Sequence, residues 1–411
     1  MRILMLNHNV AWKGTFLRCY HLGRRMAEEG HAVTLITTSP ARRRGVTCRV
    51  EAGVEVVETP SLLWGGPRSG FDPWTVWQRC RYLRGRRYDV VHAFDSRPTV
   101  IHPALQSARE NPRALFVMDW ADWWGRGGSI RERSGELFDH TLGRLETYYE
   151  EAFRRRAHAA TVISRALAGR LAGLGFPEQR IHRMPHGCDH RRLAVIEQEK
   201  ARAELPSFPE GLLIGYLGVL MPPDAVLLQR AFEHLRQQLP ATLVLIGNHR
   251  LPASHPILRA PHVVATGSLA YADVNRALCA CDALVLPLRD NVSNRGRWPS
   301  KLNDYLCVSR PIVATAMGEV EHLLRPHDAG ILVRDQPEAL AGGLVEALTD
   351  RDRAAQIAEN ALGIARTVLP WERLTRGLLE FYAEQGGIDS ERLAALSPAD
   401  SGRSQRELVA R

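Results

Sequence analysis

The 411-residue chain is predicted to be an α/β protein made of two consecutive doubly wound domains, and three observations predict it. Short β-branched and apolar runs alternate with helical stretches in both halves, the pattern of parallel sheets covered on both faces. The length suits two domains of roughly 100–200 residues each. A stretch rich in proline, Pro206-Ser207-Phe208-Pro209, separates the two series of runs and reads as a linker.

In the first series, strands are expected at Ile3–Leu6, Ala32–Thr37, Val54–Val57, Asp89–Ala93, Leu115–Met118, Thr161–Ser164 and Ile181–Pro185. The helix after the first strand is expected over Phe16–Glu29, closed by Gly30 as a left-handed terminal glycine. The second series is expected at Leu212–Leu217, Thr242–Ile246, Val263–Thr266, Ala283–Leu288, Pro311–Thr315 and Gly330–Val333. Trp371-Glu372-Arg373-Leu374 and Leu378-Leu379-Glu380-Phe381-Tyr382 carry the apolar spacing of an amphipathic helix. These runs divide the chain into a first domain over 1–190, a second over 191–369, a terminal helix over 370–385 and a polar, frayed tail over 386–411.

Composition narrows the function classes. With 45% apolar and 24% charged residues the chain reads as soluble and globular. It has no apolar run of about 18 residues to span a membrane, and its apolar start is too short for a signal peptide, so a cytoplasmic protein is expected. Seven scattered cysteines with no C-x-x-C pair argue against a disulfide framework or structural zinc. Residues 1–190 hold 29 Lys+Arg against 19 Asp+Glu and so carry the whole of the +9 net charge. Such a basic half suits an anionic partner or an exposed basic face. Only Lys13, Lys200 and Lys301 are lysines, in a chain that otherwise uses arginine.

The ordered motifs resemble the GT-B glycosyltransferases of group 1, the family-4-like enzymes that use nucleotide sugars. The resemblance begins with Arg2–Asn7, Gly14-Thr15 and the strand Gly30-His31-Ala32-Val33-Thr34-Leu35-Ile36-Thr37. It continues through Asp89-Val90-Val91-His92, Ser164-Arg165 and Pro185-His186-Gly187-Cys188-Asp189. In the second half come Gly215-Tyr216-Leu217-Gly218, Gly267-Ser268-Leu269, Pro299-Ser300-Lys301-Leu302-Asn303-Asp304-Tyr305-Leu306 and Arg310-Pro311-Ile312-Val313. The resemblance implies two Rossmann-like domains facing an inter-domain cleft, a C-terminal helix crossing back to the first domain, and metal-independent transfer with no cofactor beyond the donor itself. A UDP- or GDP-linked sugar is the expected donor, bound by the second domain, with the acceptor held mainly by the first.

Breaking a sugar–phosphate bond leaves negative charge on the diphosphate, so the site needs fixed donors aimed there. Lys301, after Pro299-Ser300 at a helix start, is expected to contact the diphosphate, with Ser300 and Gly218 beside it. Arg295 and Arg297 are candidates for further positive charge. Asp304 stands where the resembled family has the second Glu of its E-x7-E motif, a carboxylate suited to ribose hydroxyls. The first Glu of that motif is replaced by Gly296, and the Gly218–Asp224 loop lacks the family's usual Arg and Lys.

On the acceptor side, Gly14 permits close backbone approach, Thr15 is expected to cap the following helix, and Lys13 is a candidate for a phosphate. The segment Asp119-Trp120-Ala121-Asp122 stands where many relatives carry a His near the reacting sugar. Asp122, ahead of Asp119, is therefore the candidate general base or oxocarbenium stabiliser. His92 and Asp95 end another strand and join the acceptor-side set, with a core role competing for His92.

The segment 64–88 interleaves Trp64, Phe71, Trp74, Trp77 and Tyr82 with Arg68, Arg79, Arg81, Arg84, Arg86 and Arg87. It suits an interfacial helix at an anionic membrane or a pocket for a lipid-linked acceptor phosphate. An ordinary helix packing Trp74 and Trp77 inward is the other reading. No nucleic-acid motif accompanies it, so no nucleic-acid partner is expected, and no metal site is expected. The reading is a sugar transferase acting on a small-molecule, phosphorylated or lipid-linked acceptor. A non-catalytic nucleotide- or glycan-binding protein and an epimerase or hydrolase on the same fold remain the alternatives.

Overall fold

The computed structural model describes residues 1–41, 45–62, 70–131, 137, 140–190, 192–205 and 208–387. Trp64, Arg68, the Pro206-Ser207 part of the linker and the tail from residue 388 lie outside the described residues. The chain divides into one unit of residues 1–185 plus the chain from Trp371 onward, and a second unit, His186–Pro370. The change at His186 has a local cause. Cys188 N–H donates to Leu369 O at 2.7 Å, and Asn303 Nδ2 donates to His186 O at 2.8 Å, which ties the segment after Pro185 to the second unit.

The first unit's strands are β1 (Arg2–Val10), β2 (Ala32–Thr38), β3 (Thr47–Glu51), β4 (Val54–Thr59), β5 (Val90–Phe94), β6 (Leu115–Trp120), β7 (Ala159–Val162) and β8 (Ile181–Arg183). Its helices include α1 (Thr15–Glu28), α2 (Pro73–Leu83), α3 (Pro98–Glu110), α4 (Leu142–Glu151) and α5 (Arg165–Gly173). The sheet runs β3-β4-β2-β1-β5-β6-β7-β8. All pairs are parallel except β3–β4.

The outer strand of that edge hairpin, β3, had no counterpart among the expected strands, whereas β4 was expected at Val54–Val57. The residues of β3 alternate between half-buried and exposed, so no apolar run marks it. The hairpin turn is the two-residue, positive-φ kind, with Ala52 at 47° and Gly53 at 80°. The strand expected at Thr161–Ser164 instead ends at Val162, because Ser164 caps α5 by accepting from Leu167 N–H at 3.2 Å. β1 outlasts its apolar run, carrying Asn7, His8 and Asn9 before its register breaks ahead of Val10.

In the second unit a six-stranded parallel sheet runs β11-β10-β9-β12-β13-β14. The strands are β9 (Leu212–Leu217), β10 (Ala241–Ile246), β11 (Val263–Gly267), β12 (Ala283–Leu286), β13 (Ile312–Thr315) and β14 (Ile331–Val333). The helices are α6 (Gln198–Ala203), α7 (Pro222–Arg236), α8 (Tyr271–Ala280), α9 (Val292–Gly296), α10 (Lys301–Cys307), α11 (Gly318–Leu324), α12 (Pro337–Thr349) and α13 (Arg351–Thr367).

α14 (Trp371–Gly386) belongs to the first unit. It buries Trp371, Leu378, Leu379, Phe381 and Tyr382 in the core formed by β1, α1, β2 and their neighbours. At about 1.5–3 kcal/mol per fully buried large apolar side chain, that stripe fixes the helix there. No described helix is long and apolar enough to cross a membrane.

Strand order locates the site in each unit. In open parallel sheets ligands bind beyond the carboxyl ends of the strands where the winding reverses. The reversal falls between β1 and β5 in the first unit and between β9 and β12 in the second.

Candidate functional site

In the first unit, Thr15, Asp95, Ser96, Asp119, Trp120, Ala121, Asp122, Trp124 and Arg154 line a small cleft at the ends of β1, β5 and β6. The β1–α1 loop turns at Gly14, whose φ of 54° and ψ of −130° suit only glycine, and a Cβ there would meet the Asn9 amide at 2.9 Å. Thr15 is the first residue of α1 and does not cap it. The cap comes from Asn9, whose Oδ1 accepts from Thr15 N–H at 2.9 Å. Lys13 stands exposed at this turn.

His8 lies in the polar part of β1, and its Nδ1 lies 2.5 Å from Asp95 Oδ2, with both side chains more than nine-tenths buried. Asp95 adopts φ 124°, a strained conformation for a residue with a side chain. Although burial opposes ionisation, His8, Arg97 and the Ser96 N–H hold its carboxyl down to about 2. The pair joins adjacent strands at the reversal point. His8 was not among the expected site residues; a histidine two residues past the apolar run of the first strand was its only signal.

Asp119, the second candidate base, reaches the cleft lining but is tied into the core. It is fully buried, and its Oδ1 accepts from Arg18 at 3.1 Å and from the Thr161 hydroxyl at 2.5 Å. Burial raises its carboxyl despite Arg18. Thr161 in turn contacts His92 Nε2 at 3.1 Å, and His92 Nδ1 meets the Tyr382 hydroxyl at 2.5 Å. His92 is thus a core histidine with both nitrogens engaged, held neutral by burial. Arg18, Asp119, Thr161, His92 and Tyr382 form one buried polar chain joining α1, β6, β7, β5 and α14. Asp122, by contrast, is half-buried on the cleft wall.

The loop that carries Asp122 is clamped by Glu150 of α4. This carboxylate accepts from Trp124 N–H at 2.6 Å and Gly125 N–H at 2.9 Å, with Arg170 3.4 Å away. Burial pushes it up to about 7. A Cβ on Gly125 would come within 2.6 Å of Glu150, so only glycine allows this grip. Arg170 lies against the faces of Trp120 and Trp123, at 4.8 and 3.9 Å from the ring centres, and stiffens the same loop.

In the second unit, β9 is followed by Gly218, φ 73°, whose N–H donates to Ile246 O at 2.7 Å. Lys301 opens α10 and reaches this turn. Its Nζ donates to Val219 O at 2.9 Å and to the Tyr216 hydroxyl, and lies 3.9 Å from the Tyr216 ring centre. Burial, aided by Arg297, lowers its ammonium to about 7. Arg297 pairs with Asp224 at 3.6 Å, in the first turn of α7, and bonds Asn294. Asp224 also accepts from Arg289 N–H at 2.9 Å. The cations near the β9 turn therefore come from α10 and the segment before it.

Arg295 turns away, in a two-pronged exposed pair with Asp290 at 2.7 and 2.8 Å, and does not join Lys301. Ser300 is exposed and makes no side-chain cap. Asp304 is half-buried one turn along α10, and burial pushes its carboxyl up to about 7 against the pull of Lys301. Its charge also reaches Tyr271, over whose ring Arg192 lies at 4.0 Å. Among the described residues no cluster of three or more His, Cys, Asp or Glu is arranged to hold a metal ion.

Comparison with known proteins places the chain. Residues 12–192 match the model of Glycosyltransferase Family 4, and residues 211–350 match that of Glycosyl transferases group 1. TuaH of Bacillus subtilis, named as a teichuronic acid biosynthesis glycosyltransferase, is 21% identical over 211 residues. That match covers 50% of this chain and 52% of TuaH, so the chain spans about half the length of this curated relative.

Among solved structures, sucrose-phosphate synthase of Thermosynechococcus elongatus superposes with a TM-score of 0.72 at 15% identity, over 95% of this chain and 100% of that one. HepE of Anabaena, solved with UDP and glucose, gives 0.65 at 17% identity over 92% and 98%. Starch synthase IV of Arabidopsis thaliana, solved with ADP and acarbose, gives 0.67 at 14% identity over 94% and 99%. These likenesses show the shared GT-B fold. By the two models together, the chain belongs to the glycosyltransferases, with a family 4 first half and a group 1 second half.

Proposed function

We propose that this protein transfers a sugar from a nucleoside diphosphate to an acceptor hydroxyl. The observation that carries the reading is Lys301. A half-buried cation is held over the Gly218 turn by Val219 O and Tyr216, at the winding reversal where a diphosphate would lie. Arg297 adds charge, Asp304 is the group suited to ribose hydroxyls, and Ser300 stands at the start of α10. A uridine nucleotide is the first choice because HepE is solved with UDP; an adenine nucleotide, as in the starch synthase, comes next, with GDP beside it.

In this reading the first unit takes the acceptor, a phosphorylated or lipid-linked small molecule, with Lys13, Gly14 and Thr15 at one side of the cleft. The acceptor oxygen attacks the anomeric carbon, the bond from that carbon to phosphate breaks, and the electron pair leaves on the diphosphate. Asp122 receives the hydroxyl proton, and the His8–Asp95 pair holds the end of β1 in place beside it. The reaction is metal-independent and cytoplasmic.

Thermal unfolding with UDP, GDP, dTDP and ADP, each alone, tests this reading. At ~100 times its dissociation constant the right nucleotide adds about 2.7 kcal/mol. Lys301→Ala should shrink that effect, and sugar-transfer assays with the stabilising nucleotide's sugars should give product. Stabilisation without any product would assign a binding role in place of transfer. No stabilisation by any nucleotide would overturn the donor site.

A further inference from the structure

α2 is held to the first unit by one face only. Asp72 caps it, accepting from Trp74 N–H at 2.9 Å, and Pro73 follows in the first turn. Thr75, Arg79 and Leu83, spaced four apart, are buried. Arg79 is completely enclosed and donates to four neutral oxygens: Asn7 O at 2.8 Å, Thr99 O at 2.9 Å, Thr59 Oγ1 at 3.0 Å and Thr38 Oγ1 at 3.2 Å. This clamp fixes which face points outward.

Trp74, Trp77, Arg81 and Arg84 follow one another at intervals of three, four and three residues, so they lie on one stripe, and all four are exposed. The expectation that Trp74 and Trp77 pack inward fails because Thr75 and Arg79 take the inward positions. The two indoles stack on each other at 4.9 Å and 22° while remaining 37% and 48% exposed. Arg81 lies 5.4 Å from the Trp77 ring centre. Leu62, 76% exposed, is bonded through its N–H to Asp72 at the same helix end as Trp74. Arg86 and Arg87 are exposed just beyond the other end, and residues 73–88 include no Asp or Glu.

We propose that this stripe docks the protein on an anionic lipid bilayer. Stacked indoles suit the boundary between headgroups and acyl chains, where an apolar ring body and a polar N–H are both accommodated. Guanidinium groups bind phosphate in two-pronged fashion, and although Glu110 of α3 accepts from Gly85 N–H at 3.1 Å beside this end, the stripe holds no carboxylate of its own, so lipid phosphates would supply the counter-charge. The inference is independent of the transferase reading.

The test is co-sedimentation of the full chain with vesicles of phosphatidylcholine alone and of phosphatidylcholine with phosphatidylglycerol, at low and raised salt. The wild type should bind the anionic vesicles and release as salt rises. Trp74→Ala/Trp77→Ala and Arg81→Glu/Arg84→Glu should each weaken binding by about tenfold or more, with thermal unfolding unchanged because the replaced side chains are exposed. Absence of binding to anionic vesicles, binding that both variants retain, or capture of a single-stranded oligonucleotide in preference to vesicles would each overturn it.

Discussion

Lys301 Nζ donates to the Val219 carbonyl at 2.9 Å while lying 3.9 Å from the centre of the Tyr216 ring. Burial and Arg297 bring its ammonium down to about 7, so near neutral pH it is charged in only part of the molecules. A bound diphosphate favours the charged form, and binding therefore takes up a proton. Nucleotide affinity should fall as pH rises from 7 to 9, by at most about tenfold per unit. The nucleotide's own last phosphate ionisation, near 6, is complete over that range. Lys301→Arg, charged throughout, should flatten the profile. Calorimetric titrations at three pH values check this, and a flat wild-type profile would remove Lys301 from the diphosphate site.

Asp119 and Asp122 should separate cleanly. Asp119→Leu leaves Arg18 buried without its carboxylate and should cost about 3–5 kcal/mol of stability. Asp122→Asn keeps the side chain's size and should cost less stability than Asp119→Leu, while lowering kcat by about 100-fold or more. Denaturant melts and turnover rates on both variants decide it. An Asp122→Asn protein with full kcat would exclude it as the base.

The seat of α14 should loosen in acid. His182 stacks on Phe381 at 5.0 Å, and burial lowers its imidazole to about 4, against 6.5 when unfolded. Its neutral form is the one the fold favours, so its contribution is complete above pH 6.5 and is lost as pH falls toward 4. The loss should be on the order of 3 kcal/mol. His182→Phe should show a shallower decline in unfolding temperature between pH 7 and pH 4, and equal slopes would refute the assignment.

Gly14→Ala should strain the β1–α1 turn, since its φ is positive and the added Cβ meets the Asn9 amide at 2.9 Å. Asn9→Ala removes the α1 cap and should cost about 1 kcal/mol. If Asn9 is the cap, Thr15→Ala should cost less than Asn9→Ala, and chemical denaturation of the three variants measures the difference.

Much of the architecture was legible along the chain. Parallel strands buried on both faces must be nearly continuous apolar runs, so β1, β2, β9 and β10 stand out whatever surrounds them. The glycosyltransferase motifs stood in order for the same reason, and Lys301 was conspicuous in a chain of arginines. β3 escaped notice because an edge strand needs no apolar run.

The site was decided by tertiary structure. Asp119 and Asp122 are three residues apart with the same carboxyl group, yet only the approach of Arg18 and Thr161 makes one a buried strut. His8 acquires its partner because β1 and β5 are neighbours, and Arg295 and Arg297 diverge because one pairs with Asp290 and the other with Asp224. The outward face of α2 was likewise set by where Arg79 finds its four oxygens. Local sequence determines which segments become strands and helices, because periodicity and backbone preference act over a few residues. It does not determine which ionisable groups meet, because those contacts join residues far apart along the chain, 101 positions for Arg18 and Asp119 and 290 for His92 and Tyr382.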